Sequence, residues 1–299
     1  MSELVSQSAT WRDFLEMCKP RVVLLMLLCA AVGMLLASSE MVSVSLLAAT
    51  LFGIAAVASS AAVVNHLADA QIDARMARTA ARPMATGRIN FWHGALFSGV
   101  LGIIGSCVLW FAVNPLTAIL NLASWVGYGL IYTLYLKRAT PQNIVIGGLF
   151  GAAPPLFGWT AVTNQIDVEA LVLVLIIFIW TPPHFWALAL DRKEEYAAAE
   201  IPMLPVTHGE ESTRRHILVY TILLLGCSLI PSFLGHAGWL YTLAASLLGL
   251  RFLYWAWILL RNENPSAALK TFRFSITYLG VLFASLLIDH YITLFSPAY

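Results

Sequence analysis

Charge is scarce in this chain. Only 11% of its 299 residues are Asp, Glu, Lys or Arg, against about a quarter in a soluble domain. With 60% hydrophobic residues and a mean hydropathy of +0.79, that shortage excludes an ordinary water-soluble fold and indicates a polytopic membrane protein. Cysteine is equally sparse. Cys18, Cys29, Cys107 and Cys227 lie in or beside apolar segments without CxxC spacing, so they read as packing residues rather than disulfides or metal ligands. No Walker A sequence, GxGxxG or zinc-type His/Cys cluster occurs, which argues against nucleotide and zinc chemistry; no nucleic-acid partner is expected. The N-terminal region carries Glu3, Asp13 and Glu16 and lacks a basic stretch before a small-residue cleavage site. Neither a cleaved signal peptide nor a transit peptide is expected.

What the chain does have is nine apolar stretches long enough to cross a bilayer, for which about 20 residues are needed. They cover roughly 21–39, 44–66, 93–113, 115–135, 143–162, 169–190, 216–236, 239–260 and 273–295. Of the 17 basic residues, all but Arg251 fall before the first stretch or in alternate connections, and the other connections have none. The positive-inside rule then predicts an all-α bundle of nine spans, N-terminus cytosolic and C-terminus periplasmic, in a bacterial cytoplasmic membrane. Arg251 stands alone in the middle of the eighth stretch. An intramembrane Arg calls for a buried partner, in a structural ion pair or polar network inside the bundle or in a substrate carboxylate.

The two long cytosolic connections, 67–92 and 191–215, each start acidic and turn basic. Asn65, Asp69 and Asp73 recur every four residues, which stacks them on one helix face. Like charges at that spacing repel, and unpaired carboxylates beside a membrane are costly, so a cation is expected to compensate them. Asp191 and Glu195 repeat the spacing four helices later, suggesting two facing halves. Further features are the Gly, Ala and Pro-rich segment 139–159, with Pro154-Pro155 predicting a kink, and Pro182-Pro183, predicting a second broken helix. His184 lies two turns before Asp191 on the same face, deeper in the membrane.

Two acidic pairs flanked by Arg and Lys suit a diphosphate held with Mg²⁺. Magnesium takes about six oxygens, commonly one or two carboxylates plus phosphate and water. Arg78, Arg82, Lys137, Arg138 and Lys193 are candidates to neutralise the remaining phosphate charge. A membrane setting points to a lipid-tailed diphosphate, most simply an isoprenoid. An allylic cation left after diphosphate departure could be sheltered by some of the 35 aromatic residues.

The Asn65-x3-Asp69-x3-Asp73 pattern resembles the first signature of the UbiA superfamily of intramembrane prenyltransferases. Lys-Pro-Arg at 19–21, Arg-Pro at 82–83, Thr-Pro-Gln-Asn-Ile-Val-Ile-Gly-Gly at 140–148, Pro-Pro-His-Phe-Trp-Ala-Leu at 182–188 and Ile-Pro-Met-Leu-Pro-Val at 201–206 resemble its protoheme IX farnesyltransferase branch. The resemblance runs from about 15 to 290. It implies a nine-helix bundle that joins farnesyl diphosphate to the vinyl group of heme B, with water addition giving heme O. Asn65, Asp69, Asp73, Asp191 and Glu195 would hold Mg²⁺ and the diphosphate, with Tyr196 and Arg251 among the substrate-binding candidates. His184 would contact the iron, orient a propionate or direct water, or serve as an ordinary bundle histidine. Product would pass to a heme A synthase or a terminal oxidase. Two positions depart from the pattern: Glu195-Tyr196 stands where Asp-Tyr is usual, and Glu200 where a small residue or Asn is usual. Two alternatives stay open, an aromatic quinone precursor as acceptor and a non-catalytic transport or heme-handling role.

Overall fold

A computed structural model describes residues 9–76, 79–262 and 264–295, and among them it contains helices and connections without a β-strand. That is the expected response to lipid, where backbone polar groups must be satisfied within the segment itself. Helix α1 (Trp11–Met17) begins with a capping box between Thr10 and Asp13. Arg88 docks on the Asp13 carboxylate at 2.7 Å, tying α1 to the connection that follows the second long helix. The chain then bends by 52° into α2 (Pro20–Leu36). Pro20 sits at the first helical position, where its missing N–H costs nothing.

The remaining helices are α3 (Val44–Asp73), α4 (Phe91–Val113), α5 (Pro115–Ala139), α6 (Asn143–Gly151), α7 (Pro154–Thr163), α8 (Val168–Asp191), α9 (Lys193–Ala198), α10 (Leu204–Thr207), α11 (Gly209–Phe233), α12 (Trp239–Arg261) and α13 (Ala267–Phe295). Among the described residues eight segments are long and apolar enough to cross a membrane, with α6 and α7 counted together. The bent pair α1–α2 makes a ninth.

Two regions of packing organise the bundle. Ala30, Ile54, Val57, Leu109, Ala118 and Phe157 join α2, α3, α4, α5 and α7. Leu173, Ile176, Trp180, Leu224, Tyr241, Phe252 and Tyr278 join α8, α11, α12 and α13. Helices α2 and α7 cross with their backbones in contact. A Cβ on Gly158 would lie 1.8 Å from the Ala30 carbonyl oxygen, and one on Gly33 2.1 Å from that of Pro155. Small residues permit this approach, which is a common basis of helix association in membranes.

Helix α3 continues to Asp73, past the apolar stretch that closes at residue 66, so the whole Asn65–Asp69–Asp73 stripe is helical, as its spacing requires. Two local features differ from the sequence expectation. Helix α8 runs unbroken through Pro182 and Pro183. Their missing N–H groups deprive the carbonyls of Phe178 and Ile179 of helical donors, yet both prolines are buried in the bundle, and packing holds the helix. Residues Val126–Leu136 of α5 wind as a wide π-helix. Within it the Thr133 hydroxyl donates to the Tyr128 carbonyl at 2.8 Å, a side-chain bond across five residues that the apolar pattern does not disclose. The chain breaks between α6 and α7 just before Pro154, where the kink was expected.

Candidate active site

The stripe on α3 is buried: Asn65, Asp69 and Asp73 are 5%, 1% and 3% exposed. Helical spacing alone would leave two carboxylates repelling one another, and the fold answers with cations from other elements. Lys137, at the end of α5, donates to Asp69 Oδ2 at 2.6 Å. Asn65 Nδ2 donates to the same oxygen at 2.9 Å. Arg138 lies 3.9 Å from Asp69 Oδ1 and donates to the Ala68 carbonyl at 3.1 Å. One nitrogen of Arg82 reaches both oxygens of Asp73 at 2.8 Å, while the Thr79 hydroxyl caps the Asp73 carbonyl at 2.9 Å. Three of the basic residues expected to neutralise phosphate therefore already face the stripe.

Lys19 completes the cluster and was absent from the expected site. Its ammonium donates to the Asn65 carboxamide oxygen, 46 positions away. Lys19 adopts a left-handed backbone with φ +50°, a conformation that costs a residue with a Cβ roughly 1–2 kcal/mol. The only sequence signal was the Lys-Pro-Arg motif itself. Thr133 accepts from Asn65 Nδ2 at 3.4 Å, which brings the π-wound part of α5 against the stripe.

Asp191 and Glu195 are arranged differently. Asp191 ends α8, Glu195 belongs to α9, and the backbone between them leaves helical geometry at Arg192 (φ −114°, ψ 23°). The two carboxylates are thus not stacked on one continuous helix, contrary to the spacing argument. Arg192 joins them instead, with Nε 3.3 Å from Asp191 Oδ2 and Nη1 2.7 Å from Glu195 Oε1. The hydrogen bond to Glu195, and then its charge, raise the Arg192 pKa above its ordinary value. Lys193 points elsewhere, pairing with Glu210 at 3.1 Å, and Arg214 holds the same carboxylate at 2.7 Å. Tyr196 packs against the apolar cluster around Trp186, Ile201 and Leu204.

Arg251 requires a correction. It is exposed on the outer face of α12, and its guanidinium lies over the rings of Tyr254 and Trp255 at 4.9 and 5.1 Å. Cation–π contact along an amphipathic surface satisfies it, so neither the buried partner nor the substrate role anticipated from the sequence is needed. Arg78 lies outside the described residues. His184 sits on the inner part of α8, within 2.6 Å of the Ser275 hydroxyl on α13.

The oxygen donors fit a hard divalent cation. Asp69 Oδ1 and Glu195 Oε2 are both buried without a hydrogen-bond partner, leaving lone pairs suited to an ion such as Mg²⁺. Among the described residues no three His, Cys, Asp or Glu side chains gather closely enough to hold a metal unaided.

Comparison with known proteins assigns the architecture. The profile of the UbiA prenyltransferase family matches residues 26–285. The chain is 58% identical over 285 residues to the protoheme IX farnesyltransferase of Hahella chejuensis, covering 95% of each protein. It is 56% identical over 291 residues to protoheme IX farnesyltransferase 1 of Pseudomonas putida, covering 97% of this chain and 98% of that one. Among solved structures, a digeranylgeranylglyceryl phosphate synthase superposes with a TM-score of 0.80 at 19% identity, over 93% of this chain and 98% of its own. A UbiA homolog from Archaeoglobus fulgidus bound to DMAPP and Mg²⁺ gives 0.67 at 16% identity, over 92% and 99%. The chain belongs to the UbiA prenyltransferase family, and within it to the protoheme IX farnesyltransferases.

Proposed function

We propose that this protein transfers the farnesyl group of farnesyl diphosphate to a vinyl group of heme B, with addition of water, yielding heme O and diphosphate. The observation that carries the reading is near-full-length identity of 58% to a protein named for that substrate pair. The buried acid-and-cation cluster on α3 supplies the matching chemistry. The basic residues of the connections would place this site at the cytosolic face of a bacterial cytoplasmic membrane.

Asn65, Asp69 and Asp73 on one side, with Asp191 and Glu195 on the other, would hold Mg²⁺; bound there, the ion neutralises charge developing on the departing diphosphate. Lys137, Arg138, Arg82 and Lys19 bring basic side chains to the same space. On substrate arrival, phosphate oxygens would share these donors with the carboxylate and carboxamide oxygens that accept from them now. Heterolysis of the allylic C–O bond sends the electron pair to the diphosphate. The vinyl π electrons then form the new C–C bond, and water captures the resulting cation with loss of a proton. In this scheme the protein mainly orients both substrates and limits water.

The test is diphosphate release from farnesyl diphosphate by purified protein. Release requiring both heme B and Mg²⁺ supports the reading. Release driven by an aromatic quinone precursor instead of heme would overturn the acceptor assignment, and no release with any acceptor would overturn catalysis.

A further inference from the structure

A short polar contact outside the charged cluster joins α8 and α13. His184 Nδ1 lies 2.6 Å from the Ser275 Oγ, and that hydroxyl lies 2.6 Å from the Phe272 carbonyl oxygen. Ser275 is fully buried and has a single hydroxyl proton. A carbonyl only accepts, so at this separation the serine proton must point to Phe272; otherwise two sets of oxygen lone pairs would oppose one another. The hydroxyl is then left with lone pairs toward His184, and the imidazole must donate from Nδ1. Hydrogen-bond accounting fixes the tautomer: Nδ1 carries the proton and Nε2 carries a lone pair.

The ring is also fixed in orientation. Trp180 stacks on it at 4.2 Å and 19°, Phe272 at 4.7 Å and 29°, and Phe185 meets it edge-on at 5.1 Å. Trp180 in turn donates from its indole to the Ser275 carbonyl at 2.8 Å, so α8 grips α13 at two points on one residue. None of these neighbours is acidic, so nothing here favours an imidazolium. Along α8, Thr181, His184, Leu188 and Asp191 fall on one row, and exposure rises from buried through intermediate to exposed at Asp191. His184 is therefore the deepest accessible polar group on a face that opens toward the carboxylates, about 10 Å below Asp191 at 1.5 Å rise per residue.

We infer that Ser275 is a positioning residue that locks His184 in the Nδ1–H tautomer, presenting Nε2 as a neutral nitrogen ligand to the iron of the porphyrin acceptor. The inference rests on the reading of heme B as that acceptor. It follows the general habit of metal-binding histidines, whose second ring nitrogen donates to a fixed oxygen. Here the oxygen is a serine hydroxyl whose own proton is committed elsewhere.

Resonance Raman spectroscopy of the ferrous heme complex, with full-length protein in lipid nanodiscs, tests it through the iron–histidine stretching band. Wild type is expected to show the band, His184→Gly to lose it, and added imidazole to restore it. Ser275→Ala is expected to shift the band to lower frequency, because an imidazole that no longer donates binds iron more weakly, and Ser275→Thr to return it. Heme binding by wild type without the band, or an unshifted band in Ser275→Ala, would overturn the inference while leaving the acceptor assignment intact. No heme binding by wild type would remove the acceptor reading and the inference with it.

Discussion

The carboxylates on α3 and those where α8 meets α9 share a chemistry but not a setting. The Asp69 and Asp73 side chains are only 1% and 5% exposed, and each is paired with a cation from outside α3. Those of Asp191 and Glu195 keep 32% and 31% of their surface and share one neighbouring arginine. An unpaired buried charge costs several kcal/mol, so the α3 stripe exists only because Lys137 and Arg82 are already in place. Exposed pairs contribute about 0–1 kcal/mol, so Asp191 and Glu195 can exchange Arg192 for another cation at little cost. On the proposed reading, the α3 half of the site is preorganised and the half at Asp191 and Glu195 is free to rearrange around a substrate.

The largest effects should come from the preorganised half. Chelating divalent metal is expected to abolish farnesyl transfer, with recovery on adding Mg²⁺. Asp69→Ala and Asp73→Ala are each expected to lower transfer by about 10³-fold, the scale of losing a principal electrostatic contact. Asp69→Ala should also lower the melting temperature, because Lys137, only 17% exposed, loses its partner; the cost is about 3 kcal/mol, toward the low end for a buried pair. Asp191→Asn and Glu195→Gln should break the comparison if they matched those losses. The expected result is a fall of about 10- to 100-fold in transfer with stability changed by less than about 1 kcal/mol, read from kinetics and thermal unfolding in detergent.

Smaller effects sharpen the boundary of the site. Glu200 holds φ +56° in the connection after α9, which explains why a small residue or Asn suits the position. Glu200→Gly is expected to raise stability by about 1 kcal/mol without changing transfer. Arg251→Ala should alter transfer by less than about twofold, since its guanidinium rests on two outer aromatic rings.

These contrasts show what the sequence could disclose. Long apolar stretches and one-sided basic residues made the spans legible, because hydropathy acts locally and over many residues. Spacing of four made the α3 stripe legible, because it stays within one helix. Spacing failed at Asp191 and Glu195, where a single non-helical residue, Arg192, cancels the periodicity argument. Lys19 and Ser275 were missed for a different reason. Their partners lie 46 and 91 positions away, and only the tertiary fold brings them together. Arg251 was misread because mid-span position suggested burial, whereas the helix turns that residue outward.

The central claim is a specific group transfer, and mass spectrometry of the heme products tests it most directly. Purified protein incubated with heme B, farnesyl diphosphate and Mg²⁺ is expected to yield a heme heavier than heme B by one farnesyl and one hydroxyl group, formed only when all three are present and lost in Asp69→Ala. Heme B recovered unchanged under those conditions, with farnesyl on another acceptor or still on its diphosphate, would contradict it.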